Sequence, residues 1–170
     1  MKLSIFDLFK IGIGPSSSHT IGPMLAVFQF MELCETEKII SKIERLSISI
    51  HGSLAWTGKG HGTDKAILLG LSGYIPQTIN PSNSDKIVNS IIENNFFNYK
   101  NFKIKFNLKK DLVFDYQKLF DFHSNGIQIK AFNYNEIEII NKLYFSVGGG
   151  FVVSSEEINQ PQILEKEVPE

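Results

Sequence analysis

Leu46-Ser47-Ile48-Ser49-Ile50-His51 is the stretch that decides the fold, because its apolar and polar residues alternate one by one. Alternation with a period of two is typical of a β-strand that has one buried and one solvated face. We therefore predict a strand over 46–54, with three apolar side chains on its core face (Leu46, Ile48 and Ile50).

Helical patterns lie on both sides of this strand. Apolar residues at steps of three and four predict a helix over 20–36, with Pro23 in its first turn. A second helix begins near 63, with Thr63 or Asp64 as N-cap, and a third covers 85–94, with Ser82 or Ser84 as cap.

Strand patterns fill the rest of the chain, over 102–108, 126–134 and 136–153, the last broken at three consecutive glycines (148–150). The pair Asn125-Gly126 predicts a hairpin turn. This order of elements predicts an α+β fold with helices packed on a mixed β-sheet. We expect one domain over 1–154, and a linker or tail over 155–170, where periodicity is lost.

Composition excludes several classes of function. The chain has 170 residues and a formal net charge of −1, so electrostatics gives no support to nucleic-acid binding. No apolar run approaches the roughly 20 residues of a membrane helix, and we expect a cytoplasmic protein. The one cysteine, Cys34, cannot alone form a disulfide or hold a metal cluster, and we expect it to be structural.

Four polar or glycine-rich stretches are candidates for chemistry, and they lie at 12–20, 57–64, 122–126 and 146–151. The first places Ser16-Ser17-Ser18-His19-Thr20 at the start of a helix, where free backbone N–H groups favour an anion. The second sets His61 between glycines. From the residues alone, a polar loop with a serine cap and an exposed loop histidine are the favoured interpretations of these two stretches, and an anion site is the alternative.

The four stretches, in this order, resemble the bacterial iron–sulfur L-serine dehydratases, also called L-serine ammonia-lyases. The resemblance runs from Ser4 to about Val153. Its opening signature spans Ser4 to Met24 and contains Gly12-Ile13-Gly14-Pro15-Ser16-Ser17-Ser18-His19-Thr20. The other matching motifs are Thr57-Gly58-Lys59-Gly60-His61-Gly62-Thr63-Asp64, His123-Ser124-Asn125-Gly126 and Ser146-Val147-Gly148-Gly149-Gly150-Phe151. Ile127 stands where the family has methionine.

The resemblance implies conversion of L-serine to pyruvate and ammonia, in amino-acid metabolism and gluconeogenesis. It also implies a [4Fe–4S] cluster, one iron of which acts as a Lewis acid on the leaving hydroxyl. The family carries the cluster cysteines in a separate alpha domain, and its beta domain resembles the substrate-binding domain of some phosphoglycerate dehydrogenases. We therefore expect an alpha partner, with this chain being a natural subunit, an expressed fragment or a truncated gene product.

The resemblance also implies roles for particular residues. His61 is the first candidate for the base that removes the α-proton, and His19 is the second catalytic candidate. The residues expected to bind substrate, or to support those that do, are Ser4, Ser16, Ser17, Ser18, Thr63, His123 and Asn125, and Lys59 either attracts the substrate carboxylate or is simply solvated.

Two other functions remain open: a stand-alone domain that binds an amino acid or small anion, and an inactive remnant. A domain that covers another is expected to expose an apolar or glycine-rich face around 12–20 and 57–64. The isolated chain is expected to be inactive, and a homodimer through that face or another is compatible with the sequence.

Overall fold

The alternating stretch forms the central strand of the sheet. In the computed structural model, which describes residues 16–159, β1 spans Arg45–His51. Leu46, Ile48 and Ile50 are fully buried, and the two serines between them are half-exposed. The predicted core face of the strand is therefore confirmed. The strand ends at His51, three residues earlier than predicted, because a short helix begins at Ser53.

Within residues 16–159 the sheet has seven strands, and it is mixed. The order is β2-β3-β1-β5-β6-β7, with β4 also paired to β1. Strand β1 runs parallel to β3 and β4 and antiparallel to β5. The remaining strands are β2 (Phe96–Tyr99), β3 (Phe102–Lys105), β4 (Leu112–Asp115), β5 (Gly126–Phe132), β6 (Glu138–Gly148) and β7 (Phe151–Ser154).

Helices cover one face of this sheet, which confirms the predicted α+β class. They are α1 (Gly22–Thr36), α2 (Ser53–Thr57), α3 (Thr63–Leu71), α4 (Pro81–Asn94), α5 (Leu108–Asp111) and α6 (Ser155–Asn159). Helices α1 and α3 pack against each other, and α1 also contacts β5 and β6. Their apolar side chains join those of β1 and β5 in one core. No helix among these described residues is long and apolar enough to span a bilayer.

Several local predictions were wrong, and each has a physical reason. Asn125-Gly126 makes no hairpin turn, because Gly126 starts β5 without a positive φ and the Asn125 amide donates to the Ser146 carbonyl. Helix α3 is capped by Gly62 in the left-handed region, since the Thr63 hydroxyl bonds elsewhere. Helix α4 is capped by Asn80, whose side chain accepts the N–H of Ser82.

Strand lengths also differ from the predictions. The strand over 102–108 ends at Lys105, because Asn107 caps the following short helix α5. Strands β2 and β4 were not predicted, since four residues are too few to show a period. The break at 148–150 is confirmed, with all three glycines at positive φ between β6 and β7. The start of the predicted tail, Ser155–Asn159, is a short helix, and 160–170 lie outside the described residues.

Cys34 lies in α1 and is fully buried, as predicted for a structural thiol. Burial raises its pKa to about 12, so the reactive thiolate is scarce at neutral pH. We expect a thiol reagent to label the native chain very slowly and the denatured chain at once. Rapid labelling of the native chain would contradict this burial.

Candidate functional site

The candidate site lies at the end of the sheet where β1, β4 and β6 finish and β5 begins. A wide π-type turn, Ser17–Ile21, leads into α1 at this end, and the tight turn Gly58–His61 precedes α3. The sheet ends and the two turns therefore bring the first two predicted stretches together. Carboxyl ends of parallel strands are common places for ligand sites in sheets of this kind.

Two histidine rings face each other across the two turns. The ring centroids of His19 and His61 are 5.1 Å apart, with 41° between their planes. Nδ1 of His19 lies 2.8 Å from the Ser18 hydroxyl, and its Nε2 lies 3.5 Å from the Ser53 hydroxyl. Both histidines are half-buried, so the pair is partly accessible from solvent.

The proton on neutral His61 has a definite place. Its Nδ1 is 2.8 Å from the Thr57 carbonyl oxygen, which can only accept a hydrogen bond. Nδ1 must therefore carry the proton, and Nε2 of the neutral ring keeps its lone pair. This arrangement makes Nε2 of His61 a proton acceptor.

The surroundings of His19 favour its neutral form. Burial lowers its pKa, and the neighbouring His61 lowers it further, against a smaller raising effect from Ser53. A neutral His19 offers one donor and one acceptor nitrogen to its surroundings. It also places no second positive charge beside His61.

The three serines of the first stretch occupy different positions. The Ser16 hydroxyl accepts the backbone N–H of His19 at 3.3 Å, so Ser16 caps the turn. Ser17 is exposed, and Ser18 is half-buried against the His19 ring. Ser17 and Ser18 are therefore the two serines of this stretch whose hydroxyl groups do not cap the turn.

Thr63 was expected to support His61 without contacting the substrate, and that role stays a prediction. Its side chain is 0% exposed, and its hydroxyl donates a short hydrogen bond to the backbone carbonyl of His19. A group that is buried and bonded in this way acts on a ligand only through its neighbours. Lys59 points elsewhere too, with its ammonium 4.8 Å from the centre of the Phe114 ring.

His123 and Asn125 adjoin the site through the backbone. An ideal Cβ on Gly52 would lie 2.0 Å from the Ser124 carbonyl oxygen, so the two segments are in close contact. Nδ1 of His123 accepts the N–H of Asn125 at 3.0 Å, which leaves Nε2–H as a donor in the neutral ring. Asn125 itself is buried, and its amide bonds β6 at Ser146.

Three residues of the site had no predicted role: Thr20, Ser53 and Ser146. The Ser146 hydroxyl donates to the Ser18 carbonyl at 2.7 Å, and Thr20 donates to the His61 carbonyl at 2.9 Å. Both side chains are buried, so only the folded structure reveals these bonds. The predicted substrate contact of Ser4 lies outside the described residues.

The described residues do not fit an iron–sulfur cluster. No group of three or more histidine, cysteine, aspartate or glutamate side chains within 16–159 is placed to hold a metal ion. Cluster irons need several thiolates, and Cys34, the one cysteine of the sequence, is buried with a raised pKa.

The fold and site define an α+β domain with a paired-histidine cleft at one end of its sheet. The family model of the serine dehydratase beta chain matches residues 4–157, and the chain belongs to this family. It is 39% identical to an L-serine dehydratase of Streptomyces coelicolor over 96% of its own length and 36% of that protein. It is 42% identical to an L-serine dehydratase of Helicobacter pylori strain 26695, over 93% of its length and 34% of that protein.

A third relative is L-serine dehydratase 1 of Escherichia coli K12, which is 37% identical over 98% of this chain and 37% of that protein. The chain therefore spans about a third of the length of these relatives. The resemblance that the sequence motifs indicated is confirmed at the level of the family.

Proposed function

We propose that this chain supplies the substrate-side groups for the elimination of water from L-serine, and that it does so together with an alpha chain. Loss of water would give aminoacrylate, which tautomerises to the imine and takes up water to give pyruvate and ammonia. The observation that carries the proposal is the His61 ring, whose Nδ1 is committed to the Thr57 carbonyl and whose Nε2 is free to accept a proton. L-serine is proposed as the substrate because the relatives are named L-serine dehydratases.

His61 takes the α-proton of serine in this proposal. The proton moves to Nε2, and the resulting imidazolium still donates from Nδ1 to Thr57, which stabilises the cation. Because burial and His61 together lower the pKa of His19, the neighbouring ring stays neutral as His61 gains its charge. Two facing imidazolium rings would repel each other.

The substrate carboxylate is proposed to bind at the beginning of the turn that leads into α1. Ser17 and Ser18 lie there, and the first N–H groups of a helix attract negative charge. Ser16 keeps its hydroxyl on the His19 N–H, so its contribution is to shape the turn. His123 is proposed to add a donor from Nε2.

An alpha chain is the proposed partner, and it would bring the iron–sulfur cluster that this chain's residues do not fit. The supporting feature is an aromatic rim of exposed side chains around the site: Trp56, Tyr116, Phe122 and Phe151. Trp56 is 70% exposed and packs against Tyr116, with ring centroids 4.8 Å apart and 58° between the ring planes. Exposed aromatic side chains around a cleft are typical of protein interfaces.

Two finer proposals accompany the main one. A cytoplasmic location agrees with the sequence, in which a single cysteine allows no internal disulfide. A homodimer stays a prediction.

The Trp56→Ala variant is expected to weaken binding of the alpha chain about 30-fold, equivalent to about 2 kcal/mol for an aromatic interface residue. Its Tm should change little, because Trp56 is mostly exposed. Tyr134→Ala is the matched control, since Tyr134 is 82% exposed in the turn between β5 and β6, at the opposite end of the sheet. Equal effects of the two variants would rule out the aromatic rim as the interface.

Calorimetric titration with L-serine separates the proposal from a stand-alone binding domain. The proposal expects heat of binding with the mixture of this chain and an alpha chain, and only weak binding with this chain alone. The alternative, a small-anion or amino-acid sensor, expects the isolated chain to bind as tightly as the mixture. That second result would overturn the proposal.

A further inference from the structure

Two threonine hydroxyls tie the histidine-bearing segments together in a reciprocal way. Thr20, which follows His19, donates to the backbone carbonyl of His61 at 2.9 Å. Thr63, two residues after His61, donates to the backbone carbonyl of His19. Each hydroxyl thus holds the histidine of the other segment. We propose that Thr20 and Thr63 are positioning residues that form a reciprocal latch and hold the two histidine rings as one unit.

Burial makes these two bonds difficult to replace by water. Thr20 is 1% exposed and Thr63 is 0% exposed. Neither hydroxyl can reach solvent without a change of structure, so loss of either would leave a buried carbonyl without that donor. Gly58 leaves the space that Thr63 needs, because an ideal Cβ there would lie 2.9 Å from the Thr63 hydroxyl oxygen.

The wide turn explains why backbone carbonyls are available for the latch. In the Ser17–Ile21 turn, the N–H of Gly22 donates to the Ser17 carbonyl, five residues back. This is the π-helical spacing, which disturbs the regular α-helical ladder. The next two carbonyls along the chain, those of Ser18 and His19, accept hydroxyl bonds from Ser146 and Thr63.

Ser146 fastens the same turn to the sheet. Its hydroxyl donates to the Ser18 carbonyl at 2.7 Å, and the side chain is 0% exposed. Gly22 packs directly on it, since an ideal Cβ on Gly22 would lie 1.9 Å from the Ser146 hydroxyl oxygen. The latch is therefore anchored to β6, and the two turns are held against the sheet as well as against each other.

The consequence of the latch is a fixed distance between the two rings. Both threonine hydroxyls bond backbone carbonyls of the histidines, whose ring centroids lie 5.1 Å apart. The expected effect of losing these hydrogen bonds on turnover rests on the proposed base role of His61. Their expected effect on the distance between the rings is independent of that role.

The test uses the full 170-residue chain and measures the nuclear Overhauser contact between the ring protons of His19 and His61. Thr20→Val replaces the hydroxyl by a methyl group, and we expect the ring contact to weaken strongly. Thr20→Ser keeps the hydroxyl and should restore the contact. The matched control is Thr36→Val, which removes an exposed hydroxyl bond to the Glu32 carbonyl at the far end of α1 and should leave the contact unchanged.

Unchanged ring contact in Thr20→Val would overturn the latch, and so would equal loss in Thr20→Val and Thr20→Ser. Thr63→Val removes the other half of the latch and is expected to weaken the same contact. If Thr20→Val fails to fold, the ring contact in Thr63→Val tests the latch instead, and an unchanged contact there would overturn it.

Turnover with an alpha chain gives a second readout. Thr20→Val should lower it about tenfold, with recovery in Thr20→Ser, as expected when one hydrogen bond that positions a base is lost. Lost ring contact with unchanged turnover would overturn the link to catalysis. A wild-type mixture that forms no pyruvate would instead reject the proposed function, while the ring contact still decides the latch.

Discussion

The His61→Gln variant, paired with an alpha chain, is expected to form pyruvate at least about 100-fold more slowly than the wild type. Glutamine is polar and of similar length, but its amide nitrogen has no lone pair that can take a proton. Among residues 16–159, the half-buried His61 ring hydrogen-bonds the Thr57 carbonyl alone, so the fold should tolerate the change. Turnover and Tm of the same preparations provide the measurement.

His123→Gln is the control for this prediction. Nδ1 of His123 accepts the Asn125 N–H, so its neutral ring presents a donor, which the glutamine amide can replace. We expect a loss of about tenfold or less. A larger loss in His123→Gln than in His61→Gln would assign the base to His123.

Gly52→Ala is expected to lower the free energy of unfolding by about 3 kcal/mol or more. Gly52 has φ +59° and ψ −136°, a conformation that L-residues with a side chain rarely adopt. The added Cβ would also lie 2.0 Å from the Ser124 carbonyl oxygen, which is backbone and cannot rotate away. The substitution strains the backbone at residue 52 and displaces the Ser124 segment. Unfolding in denaturant measures the loss of free energy.

Gly60→Ala is the matched control, in the turn that bears His61. Gly60 is exposed, and an ideal Cβ there meets no atom of the described residues within 4 Å. Its unfolding free energy should stay within about 0.5 kcal/mol of the wild type. A Gly52→Ala variant as stable as Gly60→Ala would show that Gly52 does not lie in close contact with the Ser124 carbonyl.

The periodicity of apolar residues predicted the strands and helices that pack one regular apolar face into the core. The alternation of Leu46, Ile48 and Ile50 gave the central strand, and three- and four-residue steps gave α1. Strand β4 could not be predicted, because its four residues gain their conformation from parallel pairing with β1. The Asn125-Gly126 turn failed for a similar reason: pairing of β5 with its neighbours overrides a local turn preference.

The sequence predicted which residues belong to the site better than it predicted how they are arranged. The motifs pointed to His19 and His61, and the fold brings their rings together. The tautomer of His61 depends on the Thr57 carbonyl, a contact created by the Gly58–His61 turn. Thr63 was expected near His61, but its hydroxyl reaches the His19 carbonyl across 44 residues of sequence. Hydrogen bonds between residues so far apart in the chain leave no periodic or local pattern in the sequence.

Pyruvate formation from L-serine by a two-chain mixture tests the central claim most directly. The chain and an alpha chain of the serine dehydratase family are combined without oxygen, and pyruvate is followed over time. The account predicts none from either chain alone, formation by the mixture, and loss of that formation when His61→Gln replaces the wild type. Turnover by an alpha chain alone, or undiminished turnover with His61→Gln, would contradict it.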